Sequence, residues 1–291
     1  MLAFTQVPVD REIFMKTPKG FDMEDGNDKD YVLKLHKNVC GQKQAGRAWN
    51  KCLTDILVNK LKFEQSTSDE CAFCRGKTMC ALHADDSILA GPNEAEIDQI
   101  IKEMKQAQLD TTVEGDIQDF LGVNIERKKD GSIHLTQPHL IDQTLKDLHL
   151  DRDKPINKNL HKKAPLTPAA SSQTLKRHSD SKPFDNSFNY KSVIGKLNYL
   201  EKGSRSDTAC VTHQCARFST CPKKEHGEAM RWLGRCLRQT RDKGTILQPD
   251  KGKCLEVHVD ANFSGNWDSK EPEKDSGTTR SRHGHIVTCA G

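Results

Sequence analysis

The sequence predicts an α+β fold, and three observations carry that expectation. Two stretches show the 3.6-residue apolar period of amphipathic helices, about 46–61 and within 91–109. Short apolar runs between them are separated by tight-turn residues, as antiparallel hairpins are. Helices and hairpins alternate over residues 1–150 without a repeat, which favours antiparallel sheets with packed helices over parallel crossovers.

The elements follow in order. Residues 31–35, "YVLKL", read as a strand. Trp49, Leu53, Ile56, Leu57 and Leu61 form the apolar face of the first helix. "CAFC" and "TMCALH" flank Arg75–Gly76–Lys77 as a hairpin, and "SILAG" returns from a second turn at Asp85–Asp86. Asn93 is placed to cap the next helix, with Glu96 completing a capping box and Ile97, Ile100, Ile101 and Met104 on its face. Strands at 119–126 and 132–136 precede a helix opened by Pro138. Residues 151–187 are rich in Pro, Ser, Lys and Asp and read as a flexible linker. Residues 188–250 read as mainly helical, and 251–291 as strands, among them "CLEVHVDANFSG" and "GHIVTCAG", with nothing behind them to pack on.

Composition narrows the function classes. The 291 residues are 34% apolar and 30% charged, enough for more than one core. A net charge of +4 neither demands nor excludes a nucleic-acid partner. The N-terminus lacks a secretory pattern, and no run approaches a membrane span, so an intracellular, cytoplasmic or nuclear protein is expected. Eleven cysteines, an odd number, fit free thiols in a reducing compartment better than a disulfide framework.

Two chemistries compete at residues 71–86. Cys71, Cys74, Cys80 and His83 have the ligand types of a zinc site. Strand parity opposes it: 71 and 74 are an odd distance apart, as are 80 and 83, so two candidate ligands point to each face. No zinc site is expected, and the cysteines read as small core residues. Asp85 and Asp86 offer hard oxygen donors at a turn held between two strands, which suits Mg²⁺. Lys37, Lys43, Gln44 and Arg47 lie in or beside "VCGQKQAGR", which leads into a helix N-terminus, a favourable place for a nucleic-acid phosphate.

Several blocks then carry a resemblance. "LKLHKNVCGQKQAGRAWNKCL", "SDECAFCRGKT", "LHADDSILAGP", "DFLGVNIERKKDGSIHLTQPHLI", "YKSVIGKLNYL" and "RSDTACVTHQCARFS" together resemble, in the family's order, the polyprotein of copia-type LTR retrotransposons. The resemblance implies a reverse-transcriptase palm-type antiparallel sheet with partial fingers and thumb (1–150). The linker (151–187), a helical connection region (188–250) and a truncated ribonuclease H-like β unit (251–291) would follow. It implies RNA-directed DNA polymerase activity on an RNA template and DNA primer, with Mg²⁺ at Asp85 and Asp86. Gln44 and its neighbours would lie near nucleotide and template. "DFLGV" resembles the strand that supports the primer, and Asp260 a first ribonuclease H carboxylate.

Two departures follow from the same resemblance. The third palm aspartate belongs just before Met1, and the remaining ribonuclease H carboxylates beyond Gly291. An inactive fragment is therefore expected, with a non-catalytic nucleic-acid-binding or zinc-stabilised module as the alternative. Cys40, Cys74, Cys210, Cys236, His83 and His285 stand where the family carries Tyr, which implies a weakened core wherever such positions are buried. Oligomeric state is not legible.

Overall fold

The structure is a computed structural model. It describes residues 3–20, 31–151, 165–170, 175–176, 181–250, 252–265, 267 and 279–289. The chain divides into two compact units, Met1–Asp116 and Ile117–Gly291.

The first unit opens with a short 3₁₀ turn, Ala3–Gln6, and an antiparallel ribbon of β1 (Phe14–Lys16) and β2 (Val32–Lys34). Helix α1 (Ala45–Asp55) continues into a wider π-helical turn, Ile56–Lys60, closed by the Leu61 N–H on the Ile56 carbonyl. Next come β3 (Glu64–Gln65), β4 (Ala72–Arg75), β5 (Thr78–His83) and β6 (Asp86–Ala90). They form one antiparallel sheet in the order β3-β4-β5-β6. Helix α2 (Glu94–Gln106) follows, capped by the Asn93 side chain, which accepts from the Ala95 N–H.

Period-two alternation makes the sheet one-sided. Thr78, Cys80 and Leu82 of β5 are buried, whereas Met79 and His83 are exposed. The buried face, with Phe73 paired opposite Cys80, joins Trp49, Leu53 and Leu57 of α1 and the turn after it, and Ile100 and Met104 of α2, in one core. A guanidinium closes one side of it. Arg75 donates to the Leu61 carbonyl at 2.9 Å and to Glu103 at 2.6 Å, and lies over the Phe63 ring. Arg75 is the main reason the Glu103 carboxyl sits below the usual carboxylate range.

The second unit contains β7 (Asp119–Phe120), β8 (Val123–Arg127), β9 (Ile133–Thr136) and β10 (Thr245–Leu247), in antiparallel order β10-β9-β8-β7. Its helices are α3 (Pro138–Asp147), α4 (Tyr190–Gly203), α5 (Ala209–Ala216) and α6 (Lys224–Gln239). Ile141, Leu145, Val193, Leu197, Leu200, Met230, Leu233 and Leu237 interlock as its core. The buried Arg205 guanidinium is fully employed: it bonds both Asp207 oxygens, the Thr240 carbonyl and the Thr240 hydroxyl. Strands β11 (Leu255–Asn262) and β12 (Arg282–Cys289) form a separate antiparallel ribbon, and β11 is exposed along its whole length.

Several expectations change. The first compact unit ends at Asp116, and α3 packs Ile141, Leu145 and Leu148 with α4 and α6 in the second. The stretch expected to be a linker is not uniformly one: Leu175 and Phe184 are buried in the second core, and Phe184 meets Phe188 edge-on at 4.8 Å. Residues 152–164, 171–174 and 177–180 of that stretch lie outside the described residues. "DFLGV" is not a single strand but a hairpin: Leu121 and Gly122 both have positive φ, +52° and +72°, a two-residue turn matched to strand twist. Of the six positions expected from the resemblance to carry Tyr, only Cys236 is buried. Among the described residues no helix is long and apolar enough to cross a membrane.

Three predictions follow from this packing. Phe73→Ala, at a site with no exposure, should lower the stability of the first unit by about 3–5 kcal/mol in urea unfolding. Burial pushes the Cys80 thiol up to about 11 and Cys215 up to about 12, and raises Cys236 as well. The exposed Cys40, Cys71 and Cys74 should therefore react with a thiol reagent in the native chain, and the buried Cys80, Cys215 and Cys236 only on unfolding. A raised thiol pKa favours the fold fully below its ordinary value near 9, and that contribution is lost as pH rises toward 11. Urea midpoints should fall across that alkaline window.

Candidate nucleotidyl-transfer site

The candidate site is the tip of the β5–β6 hairpin. His83 pairs with Asp86 across the ladder, which leaves Ala84 and Asp85 as the two turn residues. Ala84 has φ +54°, a conformation that costs a residue with a Cβ about 1–2 kcal/mol. Its carbonyl is held from below: the indole N–H of Trp49 donates to the Ala84 oxygen at 2.8 Å. Trp49 is itself buried on α1, so its one polar atom needs such an acceptor. The bond spans 35 positions of sequence and joins helix to turn.

Above this anchor Asp85 and Asp86 are exposed, as are His83 and Ser87. Two adjacent carboxylates on a braced turn are hard, anionic donors, and their open setting leaves room for water or phosphate oxygens in the remaining positions of a Mg²⁺ shell. The donor set therefore fits a divalent cation that is shared with a phosphorylated ligand. It does not fit a closed protein cage: among the described residues no group of three or more His, Cys, Asp or Glu side chains could hold a metal.

The cysteines beside it are divided by the register. Cys80 lies on the buried face opposite Phe73, whereas Cys74 pairs with the exposed Met79, and His83 is exposed. Cys71 precedes β4 and is exposed, with its N–H bonded to Asp69. Cys80 cannot join the others without turning β5 over.

Gln44 occupies the position before α1 without capping it, half-buried, and Lys37, Lys43 and Arg47 are exposed. Their loop is tied down by Asn38. That side chain has no exposure and donates to the Val7 and Pro8 carbonyls at 3.2 and 2.9 Å. Trp49 lies five residues past Gln44, about 7 Å along the helix. One helix thus carries Gln44 and Arg47 at its start and touches the aspartate turn within two turns. Sequence reading had assigned Trp49 only to the core. The available signal was its N–H, a donor on a buried face. Asp260 lies in the second unit, on β11 opposite Gly284, and is exposed.

Comparison with known proteins agrees with this composition of elements. The family described as "Reverse transcriptase (RNA-dependent DNA polymerase)" matches residues 1–161. The chain is 29% identical over 272 residues to the retrovirus-related Pol polyprotein from transposon RE2 of Arabidopsis thaliana, covering 91% of this chain and 17% of that protein. It is 25% identical over 295 residues to the corresponding polyprotein from transposon TNT 1-94 of Nicotiana tabacum, covering 99% and 21%. It is 26% identical over 271 residues to the putative transposon Ty5-1 protein YCL074W of Saccharomyces cerevisiae, covering 91% and 83%. The chain thus spans about a fifth of the two polyproteins. No solved structure matches it. A family match over more than half of its length makes this chain a member of the reverse transcriptase (RNA-dependent DNA polymerase) family, of the kind found in copia-type retrotransposon Pol polyproteins.

Proposed function

We propose that the β3–β6 sheet with α1 and α2 is the palm of an RNA-directed DNA polymerase, and that Asp85 and Asp86 are metal-holding carboxylates of its nucleotidyl-transfer centre. The observation that carries this reading is the pair's setting: two exposed, adjacent carboxylates at a hairpin tip gripped by Trp49 from the buried face of α1. Mg²⁺ bound there would supply Lewis-acid stabilisation of the charge on the transferring phosphate. The protein's part is geometric. The hairpin places both residues at its tip, and the core beneath it joins the hairpin to α1.

Lys37, Lys43, Gln44 and Arg47 are proposed to line the path of RNA template, DNA primer and incoming nucleotide. Lys37, Lys43 and Arg47 would meet phosphates as exposed cations, a salt-sensitive contact. Asp260 on β11 is proposed as the first carboxylate of a ribonuclease H-like unit, and α4–α6 as the connection region before it.

The test is primer extension on an RNA template by a longer polypeptide that carries the preceding family segment with its aspartate. Asp85→Asn in that polypeptide should lower extension by roughly 100-fold or more, since it removes a metal ligand outright. Extension that survives Asp85→Asn and Asp86→Asn contradicts the assignment.

A further inference from the structure

We infer that Trp49 is a positioning residue for the aspartate pair: its indole N–H holds the strained Ala84 carbonyl, and so fixes where Asp85 and Asp86 stand. The inference rests on the proposed metal-holding role of that pair, but its structural half can be read without metal.

Three observations carry it. Ala84 is a non-glycine residue in the left-handed region at φ +54°, a conformation that persists only where its surroundings impose it. The Trp49 bond at 2.8 Å comes from a different element and lands on that same residue. Among the described residues, β6 pairs in the sheet with β5 alone, so the bond from α1 reaches the turn from outside the ladder. Beneath the turn Trp49, Leu53, Leu82 and Ala84 line a small, largely apolar cleft of about 190 Å³ that also meets Gly46 and Cys71. The indole therefore borders an open cleft on one side, and a phenyl ring in its place keeps an aromatic there while losing the donor.

The role differs from that of an ordinary core aromatic. A core residue acts through the apolar area it buries, which Trp49→Phe largely keeps. A positioning residue acts through the N–H, which Trp49→Phe deletes. The strain at Ala84 supplies a rescue: Ala84→Gly removes the penalty of positive φ, so the turn no longer depends on the bond. The two substitutions should therefore couple, as sites sharing one interaction do.

The experiment uses the full 291-residue chain, ¹⁵N-labelled, as wild type, Trp49→Phe, Ala84→Gly and the double variant. Without metal, Trp49→Phe should shift the amide signals of Ala84, Asp85 and Asp86 and leave those of Thr78–Cys80 in place. An unmoved turn overturns the inference whatever the metal does. Mn²⁺ alone is then titrated, and broadening of the Asp85 and Asp86 amides gives its midpoint. The midpoint should rise about fivefold in Trp49→Phe, the factor one ordinary hydrogen bond carries, and return to within about twofold of wild type in the double variant. Equal midpoints in wild type and Trp49→Phe, or no recovery in the double variant, overturn the inference. Signals that stay sharp in the wild type overturn the metal reading of the pair, while the metal-free shifts still decide the role of Trp49. Should Trp49→Phe not fold, wild-type exchange decides: the Trp49 indole proton must exchange far more slowly than that of the exposed Trp267, and equal rates overturn the inference.

Discussion

The hydrogen bond from Trp49 to Ala84 is the constraint on which the candidate site depends. A buried indole N–H without an acceptor is costly, and the carbonyl it meets belongs to a residue that has no intrinsic preference for its conformation. Each compensates the other. The sheet brings the hairpin to the helix through Phe73, Cys80 and Leu82, and α1 brings Trp49 to the hairpin through Leu53 and Leu57. The two aspartates then need no partner of their own to be placed. They remain exposed, as groups must be that share a cation with a ligand arriving from solvent.

This arrangement also explains why neighbouring cysteines do not take over the site. A β-strand offers its residues to two faces in strict alternation, and the face that Cys80 joins is the one that holds the core. Cys74, Cys71 and His83 stay outside. Most of the cysteines are exposed and take no part in either core, and the buried Cys236 lies on α6 within the second unit. The second unit has its own lock in Arg205, whose guanidinium joins the start of α5 to the end of α6 through Asp207 and Thr240.

Much of the fold was legible because local chemistry and tertiary structure agree. The apolar stripe from Trp49 to Leu61, the Asn93 cap and the Pro138 start each mark an element that forms where its sequence signal lies. The hairpin was legible for the same reason, although its turn residues are Ala84 and Asp85 and Asp86 already begins β6. What escaped depends on distance. The Leu121–Gly122 turn hides inside an apolar run, because Leu gives no warning of positive φ and the contact that meets it, the Tyr199 hydroxyl on the Leu121 carbonyl, is 78 residues away. The extent of the second unit escaped because Phe184 and Leu175 sit in a polar stretch and only their partners on distant helices bury them. In the site, the carboxylates were visible as residue types. The brace that holds them was not, since a helical period assigns Trp49 to the core and says nothing of where its N–H points.

The claim at the centre of this account is that Asp85 and Asp86 form one divalent-cation site on a pre-shaped turn. Anomalous scattering from crystals of the chain grown with Mn²⁺ and primed template tests it most directly. The account predicts a manganese peak about 2 Å from an Asp85 or Asp86 carboxylate oxygen, with Ala84 still at positive φ and bonded to Trp49. A peak at Cys71, Cys74 or His83, or a turn that relaxes away from Trp49 with no metal at either aspartate, would contradict it.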